Sequence, residues 1–275
     1  MPKLRVTFLG TGTSQGVPRI GCDCEVCTST DPRDTRTRCS IYIETPQASW
    51  VVDTGADFRT QCLREKVRRV DAVLYTHTHA DHVMGFDDLR PFCRSGNVLP
   101  VYGSETTLAQ LADVFSFAFR PAARVSGYVH PEARPVNGEF SLGGFEITPL
   151  ELPHGRTVST GYLMRYQGES FFAYLTDCKT VPEAVEKAVT GVRHLVIDAL
   201  RARPHPTHLS IGEALEVMER VRPGKGWLTH LCHEHRHSDI EAGLPETVTE
   251  IGCPRTWRRC KYLCARQVPF ASDVY

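Results

Sequence analysis

Net charge is what this chain lacks most plainly: 32 Lys and Arg residues balance 32 Asp and Glu. Without a global field to gather polyanions, a dedicated nucleic-acid binder or membrane-surface protein is disfavoured, which leaves room for a local phosphate site. Long apolar runs are also missing. None approaches the ~20 residues that span a bilayer, so no membrane association is expected. The apolar part of the first ten residues, MPKLRVTFLG, is too short for a signal peptide, and its alternation reads as a first strand of a cytoplasmic protein. Internal repeats, low-complexity tracts and an interdomain linker are absent, so residues 1–275 are expected to form a single domain.

Cysteine, by contrast, is abundant, with eleven in the chain. Without a secretory signal, such clusters more often bind metal than form disulfides. Three are grouped at Cys22, Cys24 and Cys27, and three more lie near the end at Cys253, Cys260 and Cys264. Cys39, Cys62, Cys93, Cys178 and Cys232 are scattered, as small buried apolar residues are.

Short β-like runs alternate with turns and a few helices. Strands are expected at Leu4–Leu9, Ser40–Glu44, Trp50–Val52, Ala72–Tyr75, Phe145–Pro149, Gly161–Tyr166, Phe171–Leu175, Leu195–Asp198 and Gly226–Leu228. Helices are expected at Asp57–Lys66, Ser104–Phe115, Pro182–Val189 and Ser210–Val221, the last opened by a Ser210/Glu213 capping box. Metal-capable residues recur where strands end: Asp53, His77, His154, Asp177, Asp198 and His230. Strand ends that converge on one rim are where such sheets build sites.

The densest stretch is Thr76-His77-Thr78-His79-Ala80-Asp81-His82, directly after the Ala72–Tyr75 run. Such a loop can put two imidazoles on one metal and a carboxylate with an imidazole on a second. Two metals roughly 3.5–4 Å apart can share a hydroxide and hold a phosphodiester for in-line attack. Three thiolates at Cys22, Cys24 and Cys27 would need one further ligand to complete a tetrahedral zinc site.

Taken with the later His154, Asp177 and His230, the H-x-H-x-D-H loop resembles the metallo-β-lactamase superfamily. The opening LGTGTSQGVP and the following GCDCEVC narrow the resemblance. They point to the branch containing phosphoribosyl 1,2-cyclic phosphodiesterase of the carbon–phosphorus lyase pathway. The resemblance implies an α/β (α+β) fold, an αββα sandwich of two mixed sheets with helices outside and metals at one edge. Carried over by position, it places His77, His79 and His154 on a first metal, Asp81, His82 and His230 on a second, and Asp177 between them. It implies two divalent ions, Zn or Mn, at the active site, with Asp81 and His208 in catalytic roles. It makes His233 the fourth ligand of a structural Zn with Cys22, Cys24 and Cys27. Asp53 is expected to brace the His loop through hydrogen bonds, and His208 to orient the phosphate or protonate the leaving oxygen. Relatives end in a short strand around Tyr-Asp-Gly, whereas the region after Thr249 here is basic and contains cysteine.

These readings make the chain a phosphoric diester hydrolase for a small-molecule phosphodiester, with a likeness that implies a homodimer. Thioester or lactone hydrolysis, tRNA processing with a nucleic-acid substrate, and a cofactor-biosynthesis or di-iron role on the same scaffold are the alternatives. Di-iron relatives usually place Glu where this chain has His79, which weighs against that class. Asp198 reads as a cap of the turn after its strand. Arg201, Arg203 and His205 read either as a phosphate-attracting rim or as a solvated loop. His235 and His237 are spare candidates for the structural zinc.

Overall fold

A computed structural model of the chain describes residues 4–93, 97–120, 127–245, 248, 250–251 and 263–264. Its strands form two seven-stranded mixed sheets. The first contains β1 (Arg5–Gly10), β2 (Ser40–Glu44), β3 (Ser49–Val52), β4 (Ala72–Leu74), β5 (Leu99–Gly103) and β6 (Pro131–Pro135). The second contains β7 (Phe140–Leu142), β8 (Phe145–His154), β9 (Thr157–Tyr166), β10 (Glu169–Leu175), β11 (His194–Asp198), β12 (Lys225–Thr229) and β13 (Glu250–Ile251). The short β14 (Leu263–Cys264) returns to the first sheet beside β1. Cys253 and Cys260 lie outside the described residues.

Alternation along the strands sorts side chains into layers. Trp50 and Val52 of β3 point between the sheets, while Val51 points out. In β10, Phe172 and Tyr174 face inward, and Ala173 and Leu175 face outward. Strands buried on both faces read as continuous apolar runs rather than as alternating ones.

Helices cover both outer faces. α1 (Phe58–Glu65), α2 (Ala80–Val83), α3 (Glu105–Val114) and α4 (Ser116–Phe119) lie on the side of the first sheet. α5 (Glu183–Val189), α6 (Ile211–Val221) and α7 (His237–Gly243) lie on the second. In α6, Ala214, Val217, Met218 and Val221 form one buried stripe at helical spacing. The capping box of Ser210 and Glu213 is present. The result is the expected αββα sandwich, and no helix among the described residues is long and apolar enough to cross a membrane.

Several elements differ from expectation. β8 and β9 are ten residues each, longer than the Phe145–Pro149 and Gly161–Tyr166 expected, and they pair along their whole length down to His154 and Thr157. β5, β6 and β7 were not expected; β6 starts and ends in proline, which is tolerated because it is the edge strand of its sheet. Asp57 precedes α1 without capping it and binds Arg38 instead, accepting from its backbone N at 2.9 Å.

Candidate active site

β3 runs parallel to β4, and β10, β11 and β12 run parallel to one another. Their C-terminal ends therefore open on one edge of the sandwich. Asp53, Asp177 and His230 follow β3, β10 and β12, and all three have positive φ, at 63°, 55° and 62°. Non-glycine residues seldom adopt this conformation, and it clusters at functional sites.

Asp53 is fully buried and organises the histidine loop. Its Oδ1 accepts from Thr76 N at 2.8 Å, and its Oδ2 accepts from Thr76 Oγ1 at 2.8 Å and His82 Nδ1 at 2.7 Å. A Cβ added at Gly55 would meet the Asp81 carbonyl at 2.0 Å, so the two backbones can approach only because residue 55 is glycine. Thr54 N donates to His82 O at 2.8 Å. These contacts fix Asp81 and His82 on the single turn of α2.

Two groups of side chains converge. His77, His79 and His154 bring one ligand atom each within 4.8 Å of one another, and so do Asp81, His82, Asp177 and His230. Asp177 lies between the groups: its carboxylate is 3.2 Å from His82 Nε2, 3.2 Å from His230 Nε2 and 3.9 Å from His154 Nε2.

Whether a cation fits can be judged from the polar atoms themselves. His77 Nε2, His82 Nε2 and His230 Nε2 are buried without a well-formed hydrogen bond, the last two facing the Asp177 carboxylate at 3.2 Å. Leaving such groups unsatisfied costs roughly 1–3 kcal/mol each. His154 Nδ1 lies 2.9 Å from Thr207 O, which only a protonated nitrogen can bond, and this leaves Nε2 as a lone pair 3.3 Å from His79 Nδ1. Unpartnered nitrogens aimed at one another beside two carboxylates are what divalent cations satisfy.

The electrostatics agree. Burial, with the neighbouring histidines, drives His77 well below its usual pKa, and burial lowers that of His154. Both rings are thus neutral, as a nitrogen that is to bind a cation must be. For Asp177, burial opposes ionisation, but His230 and His82 outweigh it and keep the carboxylate charged. For His230, burial is outweighed by Asp177, Asp81 and Asp198, and its pKa rises to about 9. A cation bound there would take the place of that proton.

His208 forms the next part of the wall. Its Nδ1 lies 2.7 Å from Asp198 Oδ2, which also accepts from Cys178 N at 2.9 Å. The ring stacks on His230 at 4.5 Å and 14°, and lies 4.8 Å from His154. Asp198 therefore does not cap a turn, as its place at a strand end suggested; it holds the imidazole that faces the site. The signal available in sequence was its register, because Asp198, Asp177 and His230 end or follow three consecutive parallel strands.

Together, Ser14, Asp81, Arg156, Thr207, His208 and His230 help line a pocket of about 360 Å³. Clefts of about 390 and 430 Å³ lie elsewhere, but no histidine lines either. Of the two readings of Arg201 and Arg203, the phosphate rim is the one disfavoured, because both pair with Glu234, at 3.2 and 2.7 Å.

The thiol cluster also comes together. Cys22, Cys24, Cys27 and His233 place their ligand atoms within 4.8 Å of one another. His233 Nδ1 is 3.2 Å from Cys24 Sγ and 3.5 Å from Cys22 Sγ. The hydrogen bond with His233 pulls the Cys24 thiol down to about 6, whereas burial pushes Cys27 up to about 11. A backbone bond from Thr13 N to Leu231 O, and a side-chain bond from the buried Arg36 guanidinium to Cys232 O at 2.8 Å, lock the N-terminal loop to the loop after β12. His235 and His237 stay outside this cluster. His237 N instead donates to Asp34 at 2.7 Å.

Comparison with known proteins places these features. The family model described as a beta-lactamase superfamily domain matches residues 50–231. An octanoyltransferase of Porphyromonas gingivalis is 36% identical over 266 residues, 90% of this chain and 52% of that protein, so the chain spans about half its length. Coenzyme PQQ synthesis protein B of Methylorubrum populi is 26% identical over 92% of this chain and 87% of its own. Among solved structures, a diphosphatase from the PhnP family superposes with a TM-score of 0.82 at 35% identity, covering 91% of this chain and 95% of that one. Zinc-bound PqqB from Methylobacterium extorquens has a TM-score of 0.73 at 19% identity, covering 90% and 97%, which shows the shared fold. On this fold, edge and match, the chain belongs to the β-lactamase superfamily, with a PhnP-family diphosphatase among the proteins it resembles.

Proposed function

We propose that the protein is a phosphodiesterase for small or cyclic phosphodiesters, dependent on two divalent ions, Zn or Mn. His77, His79 and His154 would hold one ion, Asp81, His82 and His230 the other, and Asp177 would face both. Such ions supply Lewis acidity toward the phosphate oxygens and a water acidic enough to serve as nucleophile at neutral pH. Cys22, Cys24, Cys27 and His233 would hold a separate structural zinc.

The observation that carries the phosphodiester reading is the Asp198–His208 pair in the pocket wall. Asp198 keeps a proton on Nδ1 and turns Nε2 of the ring to the pocket, where it can hold a proton for the departing oxygen. A pocket of about 360 Å³ sits at the small end for ligand sites, which suits a compact substrate. The solved PhnP-family relative, called a diphosphatase, supports phosphate chemistry.

Acyl ester or thioester hydrolysis is the second reading, favoured by the octanoyltransferase name. That protein is about twice the length of the shared region, and the name does not say which half carries the activity. Turnover of bis(p-nitrophenyl) phosphate and of p-nitrophenyl octanoate by wild type and His208→Ala separates the two. The expected result is diester turnover that falls about 10²–10⁴-fold in His208→Ala. Preference for the octanoate, or a variant as active as wild type on the diester, contradicts the assignment.

A further inference from the structure

The cleft of about 390 Å³ lies away from the histidines and shares no lining residue with their pocket. Leu63 of α1, with Pro91 and Phe92 of the 3₁₀ turn Phe86–Phe92, gives it apolar walls. Leu63 is 62% exposed, a large apolar side chain left in water at the cleft.

The charges beside these walls do not balance. Asp88, the one acid lining the cleft, is countered by Arg59. Lys66 and Arg68 are surplus: both are exposed, and neither side chain has an ion-pair or hydrogen-bond partner among the described residues. The acids close by in sequence are already taken, Glu65 by Arg64 at 2.9 Å, Asp71 by Arg69 at 2.7 Å and Asp87 by Arg90 at 2.5 Å. Lys66 is also mounted in an unusual way. It ends α1 at φ 56° and ψ 39°, the left-handed conformation that helix ends usually give to glycine. Its backbone N–H donates to Cys62 O and Leu63 O, so its side chain springs from the turn that carries Leu63.

We propose that this cleft is a second binding site, for a compact amphipathic carboxylate: one short aliphatic chain against Leu63, Pro91 and Phe92, with its carboxylate on Lys66 and Arg68. The volume lies at the small end for ligand sites, which suits a single chain better than a two-chain lipid. Apolar walls favour a tail over a bare anion, and two unmatched cations favour an anionic head over a neutral one. The site is independent of the reaction at the metal-facing edge.

The test is isothermal titration of the metal-loaded protein with octanoate, and with acetate and 1-octanol as probes that lack the tail or the charge. Octanoate should bind once per chain with a Kd on the order of 10⁻⁴ M, and acetate and octanol at least about tenfold more weakly. Arg68→Glu and Leu63→Asp, both at exposed positions, should each weaken octanoate about tenfold or more, while Arg69→Gln, whose cation is already paired, should leave it unchanged. Lys66→Gly should weaken octanoate without lowering the melting midpoint, because glycine suits the left-handed turn; this separates loss of the cation from loss of the fold. Octanoate that binds equally well to Arg68→Glu and Leu63→Asp sits elsewhere, the active-site ions included, and overturns the inference. So does the absence of binding, or acetate or octanol binding as tightly as octanoate. A Leu63→Asp variant that instead turns a dimer into a monomer assigns the face to a second copy of the chain and overturns it too.

Discussion

His194 is buried at the start of β11, with Phe171 at 5.3 Å and neither ring nitrogen hydrogen-bonded. Burial, then Arg193 and Lys225, lowers its pKa to about 4. Between its unfolded pKa of about 6.5 and the folded value, the unfolded chain binds a proton that the folded chain refuses. This contribution is therefore whole above pH ~6.5 and is lost as pH falls through 4, amounting to about 3 kcal/mol. His194→Leu should flatten that acid limb and cost nothing at pH 7, as read by urea midpoints from pH 7 to 5. A variant that loses stability in parallel with wild type contradicts the reading. Individual residues were legible where a loop spells out its chemistry. His77, His79, Asp81 and His82 sit in one heptapeptide, and the expected brace, Asp53, makes the hydrogen bonds just described. The strand-end position of Asp198 was legible, but its pairing with His208 was not, because the partner is ten residues away and the contact exists only through space.

At the scale of elements, the β8–β9 hairpin does the most to shape the site. It carries His154 and Arg156 and leans on Thr207 through Gly155. Gly155→Ala puts a Cβ into a left-handed backbone and against a stiff, β-branched neighbour. It should cost at least ~1 kcal/mol and displace His154 from the metal-facing cluster. The expected readout is a lower melting midpoint together with weaker retention of one active-site ion; unchanged metal content and midpoint would refute the role of the turn. Sequence patterning reached the starts of most helices, because Ser104 and Ser210 cap α3 and α6 chemically. It stopped short on β8, where the strand was expected to end at Pro149. In the structure, β8 pairs antiparallel with β9 past both Pro149 and Pro153.

At the scale of the whole molecule, two similar half-sandwiches meet, each with an antiparallel and a parallel part. Their parallel ends form the edge where the seven candidate ligands lie. The thiol cluster joins a loop of the first sheet to the loop of His230 and His233 in the second, so it links fold and site. The overall architecture was legible through the resemblance that the histidine loop and the opening motifs carry, while the buried parallel strands themselves spell only apolar runs. The layering was not, because which residues face the other sheet depends on register, and register is set by long-range pairing. The most direct test of a dinuclear phosphodiesterase with a separate structural zinc is a metal titration. Protein stripped to its most tightly held ion is given measured equivalents of Zn or Mn, and bis(p-nitrophenyl) phosphate turnover is read at each step. The account predicts a silent first ion, activity that rises with the next two, and saturation at three per chain. Full activity with a single ion, or three bound ions without diester turnover, would contradict it.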